Sequence, residues 1–176
     1  MPLPTPYTPS QTVGPFFSFG LCVRPTNLVV PAHAEGALRL MGRVLDGAGD
    51  GVPDAMVEIW QANAAGEYRE DFGWGRSGTD VDGRFEFVTV KPGSVSRGAE
   101  RQAPHLTMLV FSRGLLKPLL TRMYFPDEHV ANLTDPVLRG IADPAERATL
   151  LAHTEPEGLR FDIRLQGDGQ TTFFAL

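Results

Sequence analysis

Polar and apolar positions alternate along much of this chain, and the alternation predicts strands. Leu38, Leu40, Gly42 and Val44 interleave with Arg39, Met41 and Arg43, the period-2 pattern of a half-buried strand over residues 38–44. Similar short runs predict strands at 56–60, 84–88, 106–111, 119–125, 159–165 and 171–174. Between them lie turn residues. Asp46-Gly47-Ala48-Gly49-Asp50-Gly51 separates the first two strands, and Asp80, Asp82 and Gly83 precede the third. The string Asp80-Val81-Asp82-Gly83 lacks the further oxygen donors and terminal glutamate of a calcium loop, so a plain turn is the reading. One helix is signalled: Asp143 as N-cap, Pro144 at the first helical position and Glu146 three residues after the cap, running from 145 to about 152 with Leu150 and Leu151 inward. A shorter turn starts at Asp135-Pro136. Many short strands with little helix predict a mainly β fold, an antiparallel β-sandwich with one or two short helices.

The first 37 residues behave differently. Pro2, Pro4, Pro6, Pro9 and Pro15 favour an extended chain. Yet Tyr7, Phe16, Phe17 and Phe19 give it more apolar content than free tails carry. The division predicted is an N-terminal arm, 1–37, that packs on a partner subunit, and a sandwich domain, 38–176. An arm lying along its own domain is the alternative.

Composition narrows the function. The net charge of -5 gives no electrostatic case for nucleic acid or an anionic membrane. No apolar run approaches a membrane span, and the opening has neither a basic start nor a signal-like apolar run. Cys22 is the only cysteine, so no internal disulfide forms. A cytoplasmic protein is expected, with Cys22 a small buried filler rather than a nucleophile.

The segment Leu-Met-Gly-Arg-Val from Leu40 through Val57-Glu58-Ile59-Trp60-Gln61-Ala62 to Gly66 and Tyr68 closely resembles the signature of the intradiol ring-cleavage dioxygenases. The resemblance continues in Lys91-Pro92-Gly93, Ala103-Pro104-His105, Thr121-Arg122-Met123-Tyr124-Phe125 and Arg160-Phe161-Asp162-Ile163. It reaches back to the opening Thr8-Pro9-Ser10-Gln11-Thr12-Val13-Gly14-Pro15. The family holds Fe(3+) with two tyrosines and two histidines and cleaves a small aromatic diol between its hydroxylated carbons. Carried over position by position, the first tyrosine matches Tyr68 and the first histidine His105. The second tyrosine falls on Val95 and the second histidine on Thr107. The family's arginine before the histidine is Gln102, and its pocket glutamine is Arg122.

A valine with no donor and a neutral threonine leave ferric iron short of ligands. The resemblance therefore implies the iron-free, α-type subunit of a two-subunit member. This chain would bind no metal and own no catalytic residue. The Fe(3+) would sit in a homologous β subunit with a Tyr2His2 site, in a higher αβ oligomer. Thr12, Gly14 and Pro15 would line the partner's substrate pocket, although Gly14-Pro15 as a mere bend stays open. Tyr68, Val95, Gln102, His105, Thr107 and Arg122 would form a vestigial site. Arg122 is expected to fill that site or meet a partner residue, a surface salt bridge being the other reading. His105 is expected to be a hydrogen-bonded core histidine. His33, His129 and His153 are read as surface residues. Two competitors remain: an iron enzyme in its own right, and a non-enzymatic sandwich module for binding or scaffolding.

Overall fold

The computed structural model describes residues 8–14, 16–22 and 26–175, so Tyr7 and Pro15 lie outside the described residues. The elements run α1 (Phe17–Leu21), β1 (Ala37–Leu45), β2 (Met56–Trp60), β3 (Trp74–Gly78), β4 (Arg84–Val90), β5 (Val95–Arg97), β6 (Glu100–Gln102), β7 (His105–Phe111) and β8 (Leu119–Tyr124). Then follow α2 (His129–Thr134), α3 (Pro136–Gly140), α4 (Pro144–Ala148), β9 (His153–Glu155), β10 (Gly158–Arg160) and β11 (Ile163–Arg164).

Two sheets face each other. The first is built on β1, which pairs antiparallel with β4 on one side and with β10 and β11 on the other; β9 pairs with β10. The second has the order β3-β2-β7-β8 and is antiparallel throughout. A small hairpin, β5-β6, stands apart. Leu40, Val44, Phe85 and Phe87 from the first sheet meet Val57, Ile59, Leu106, Met108 and Met123 from the second in one buried cluster. Each such side chain contributes roughly 1.5–3 kcal/mol when fully buried. The alternation along β1 reads out directly, with Leu40, Gly42 and Val44 buried and Arg39 exposed.

The departures from expectation have local causes. The sandwich is antiparallel except along one edge of β1, where β10 and β11 run parallel to it. The predicted strand 159–165 is split there, because the Asp162 side chain takes the Arg43 amide at 3.0 Å while Phe161 donates to Met41. Residues 171–174 make no ladder beyond a single bridge from Phe174 to Leu120. The Thr171 and Thr149 hydroxyls instead accept from the Arg164 and Thr172 amides. Strand β3 was hidden by its two glycines and lack of alternation. Asp143 does cap α4, accepting from Ala145 N at 2.8 Å, but the helix ends at Ala148. Past it the chain straightens so that Leu150 and Ala152 can bond to Tyr124 at the β8 edge. Leu150 is buried there and Leu151 half-buried.

The described part of the arm lies against its own chain. The Thr12 hydroxyl accepts from Gly114 N at 2.7 Å, and Arg76 donates to the Leu21 carbonyl at 3.1 Å. Cys22 is partly buried beside Gly78, and burial pushes its thiol pKa up. No helix among the described residues is long and apolar enough to cross a membrane.

Gly42 marks the tightest approach between β1 and the split edge. A Cβ there would sit 2.0 Å from the Phe161 carbonyl oxygen and 2.6 Å from Phe85. Gly42→Ala is expected to cost about 3 kcal/mol or to prevent folding, seen as a lowered midpoint in thermal or urea denaturation.

Candidate functional site

The outer face of the second sheet carries the residues singled out from the sequence. Directly paired residues on antiparallel strands project to one side, so the registers Trp74↔Trp60, Trp60↔Thr107 and Thr107↔Arg122 define a row across all four strands. Two pairs further along, His105 stands opposite Tyr124 on the same face. The β5-β6 hairpin brings Val95 opposite Gln102 at the margin. Tyr68 arrives from the loop after β2. Gly66, at φ +82°, lets that loop press on the Ser94 carbonyl, which a Cβ would meet at 2.1 Å. The Tyr68 ring then lies parallel to Trp60, 6.2 Å away between centroids and 8° apart in plane.

A chain of polar contacts runs inward from this face. Arg122 Nη1 donates to Gln102 Oε1 at 3.2 Å and to the Tyr124 hydroxyl at 3.3 Å. That hydroxyl donates to Asp135 Oδ1 at 3.2 Å. Asp135 is fully buried, and its carboxylate also accepts from Ala103 N at 2.8 Å and from Val137 N and Leu138 N at the start of α3. Tyr124, Leu138, Leu150 and Ala103 form a second apolar cluster around it. Burial pushes the Tyr124 phenol pKa up, although the Arg122 cation opposes that shift.

His105 is 2% exposed, and its ring tilts over Tyr124 at 5.6 Å. Its Nδ1 lies 2.7 Å from the Ala103 carbonyl, which can only accept, so Nδ1 carries the proton. Nε2 is left as a buried lone pair without a partner among the described residues. Burial first, and the Arg122 cation second, hold the His105 pKa down to about 4.

Of the residues singled out from the sequence, Thr107 and Arg122 are paired on the second sheet, Val95 and Gln102 on the small hairpin, and Arg122 bonds across to Gln102. Sequence reading expected Arg122 beside Tyr68 and His105; Arg122 instead bonds to Gln102 and Tyr124, with His105 within reach of its charge. The surface salt bridge does not form, because no carboxylate among the described residues lies within salt-bridge distance of Arg122. Tyr124 and Asp135 were missed as site residues. Asp135-Pro136 signalled a helix start, but nothing local shows that the same carboxylate reaches Ala103. Thr12 lies at the far end of the β7-β8 hairpin, and exposed Gly14 also stands outside the cluster in the single chain. His33, His129 and His153 are exposed. A groove of about 690 Å³ lies elsewhere, on the first sheet; its Arg39, Arg84 and Arg160 pair with Glu86, Asp82 and Asp162.

The donor set does not fit ferric iron. Val95 offers no donor and Thr107 only a neutral hydroxyl; the Tyr68 ring is laid on Trp60. A guanidinium stands beside the one remaining imidazole and repels a trivalent cation. Among the described residues no group of three His, Cys, Asp or Glu side chains converges on a point.

The depressed His105 pKa gives a pH signature. Unfolded histidine binds its proton near pH 6.5 and the folded one only near 4. Above 6.5 neither state is protonated and the group is silent. As pH falls from 6.5 to about 4, the unfolded state gains protons the folded state refuses, and on the order of 3 kcal/mol of stability is lost. Urea titrations from pH 7.5 to 4 should show that loss in the natural chain and a markedly smaller one in His105→Gln. Equal losses in both would contradict the assignment.

Comparison with known proteins is consistent with this geometry. The Dioxygenase_C family, described as "Dioxygenase", matches residues 32–167. The protocatechuate 3,4-dioxygenase alpha chain of Burkholderia cepacia is 42% identical, with 95% of this chain and 96% of that protein aligned. The alpha chain of Pseudomonas putida is also 42% identical, over 96% of each. The Burkholderia cepacia beta chain is 36% identical over 74% of this chain and 64% of its own length. Among solved structures, the dioxygenase domain of a carbohydrate-binding fusion protein from Streptomyces sp. SirexAA-E shares the fold, with TM-score 0.61, 24% identity and coverage of 94% and 96%. Catechol 1,2-dioxygenase from Pseudomonas arvilla C-1 superposes at TM-score 0.58, with 20% identity over 80% of this chain and 55% of that one. A family match across most of the chain and alignment with two alpha chains over nearly all of it lead to one conclusion: the chain belongs to the intradiol ring-cleavage dioxygenase family.

Proposed function

We propose that this chain is the iron-free alpha-type subunit of a protocatechuate 3,4-dioxygenase. One observation carries the reading: the place that would hold iron offers one exposed phenol and one buried imidazole, facing Val95, Thr107 and the Arg122 cation. A chain so depleted, yet similar throughout to alpha chains and more distantly to a beta chain, works through a partner. The partner is a homologous beta-type subunit with two tyrosines and two histidines on Fe(3+), in a cytoplasmic oligomer of αβ pairs. The pair cleaves 3,4-dihydroxybenzoate between its hydroxylated carbons, and both atoms of O₂ enter the product, 3-carboxy-cis,cis-muconate.

The contribution of this chain is steric and polar. Its arm carries Thr12, Gly14 and Pro15 to the partner's pocket. There the Thr12 hydroxyl hydrogen-bonds, Gly14 allows close backbone approach, and Pro15 stiffens the wall. A wall supplied across the subunit contact keeps water out and fixes the substrate's orientation. In the single chain the Thr12 hydroxyl is held by one exposed bond to Gly114 N. One such bond is worth about 1 kcal/mol, a small barrier to release onto a partner.

Deleting residues 1–15 tests this division of labour in the co-expressed pair. Turnover of 3,4-dihydroxybenzoate should fall at least tenfold while iron per pair stays unchanged. Iron loss with the arm, or unaltered turnover, would contradict it.

A further inference from the structure

A groove of about 510 Å³ opens between the helices α2, α3 and α4 and the start of β9. Its size falls within the roughly 300–1,000 Å³ of sites that hold small molecules. Buried Leu138 and Ala152 line it, together with half-buried Leu151 and exposed Leu133. No phenylalanine, tyrosine or tryptophan among the described residues does so, and the apolar wall is aliphatic. Helix α2 is too short to bury any of its own side chains, and it leaves Val130 80% and Leu133 78% exposed at this end of the molecule. Exposed aliphatic surface next to a concave apolar wall favours a ligand that covers both.

The polar groups on the groove select the ligand's charge. Arg147 is half-buried there, and its Nη1 donates to the Ile141 carbonyl at 2.7 Å. That bond holds the guanidinium in place without neutralising it. Among the described residues, no carboxylate lies within salt-bridge distance of Arg147, His129 or His153. Asp127, the acid whose charge His129 feels, is bonded to Lys91 at 2.7 Å. Asn132 is spent, since its Nδ2 donates to the Phe125 carbonyl at 2.9 Å and its Oδ1 is shut off from solvent. What faces the groove is therefore one partly desolvated cation and two imidazoles that can each donate an N–H. A guanidinium takes a carboxylate with two parallel hydrogen bonds, and a cation in partly apolar surroundings favours a ligand of opposite sign.

We infer that this groove binds a small aliphatic monocarboxylate, with its carboxylate on Arg147 and its hydrocarbon chain against Leu133, Leu138 and Leu151. One negative charge matches the one guanidinium, and an alkyl chain matches the aliphatic wall. The ligand ties α2 and α4 to β9, so it binds the folded chain and raises its thermal midpoint. The groove shares no lining residue with the face that carries His105 and Arg122. The inference does not rest on the proposed pairing with an iron subunit.

Calorimetric titration of the full chain with octanoate tests the inference. One molecule should bind per chain. Acetate, which lacks the chain, 1-octanol, which lacks the charge, and octylammonium, which reverses it, should each bind at least tenfold more weakly. Arg147→Gln should weaken octanoate binding at least tenfold and Leu133→Ser severalfold, with circular dichroism confirming that each variant is folded. If Arg147→Gln loses the Ile141 contact and fails to fold, the exposed Leu133→Ser and the three ligand contrasts decide the matter. The absence of saturable octanoate binding would overturn the site. So would acetate, 1-octanol or octylammonium binding as tightly, or Leu133→Ser or a folded Arg147→Gln binding octanoate as the natural chain does. Sedimentation of the same samples covers the other occupant: a dimer of this chain that octanoate neither binds nor dissociates would make the groove a contact between copies and contradict the inference.

Discussion

The connection from Arg122 through the Tyr124 hydroxyl to the buried Asp135 carboxylate organises this end of the molecule. A carboxylate with no exposure is tolerated only when its oxygens are fully engaged. Asp135 achieves this with one phenol and three backbone amides, from β7's approach and from the first turn of α3. The same contacts that satisfy the charge therefore tie the second sheet to the helical segment outside it. Arg122 supplies the balancing positive charge from the sheet surface, one phenol away.

That arrangement also explains what the cluster cannot do. A cation fixed beside His105 favours the neutral imidazole and disfavours a trivalent metal at Nε2. Valine and threonine in place of two donors remove what remains of the driving force. The deficit and the cation reinforce each other. Together they leave this chain a shaped, charged surface whose donor set does not fit ferric iron.

Much of the fold was legible because it is local. The alternation of Leu40, Gly42 and Val44 survives as burial in β1, and Asp80 and Asp46 close their turns by accepting backbone amides two and four residues on. Asp143 and Asp135 cap helices where their Asp-Pro pairs indicated. What sequence reading missed depends on distant partners. Strand β3 exists because β2 supplies its ladder, and Thr171 leaves the ladder because Arg164 takes its hydroxyl. The candidate site was legible as a set of positions, Tyr68, Val95, His105 and Thr107 among them, read from the resemblance to a family. Its replacement wiring was not, since neither Tyr124 nor Asp135 departs from an ordinary strand end or cap in one dimension.

Metal affinity decides whether this chain could act alone. The direct measurement is iron content and visible absorption of this chain purified alone and exposed to ferric iron, then freed of excess. The account predicts far less than one iron per chain and no phenolate-to-iron absorption band. A stoichiometric, coloured ferric centre that disappears in Tyr68→Phe or His105→Gln would contradict it.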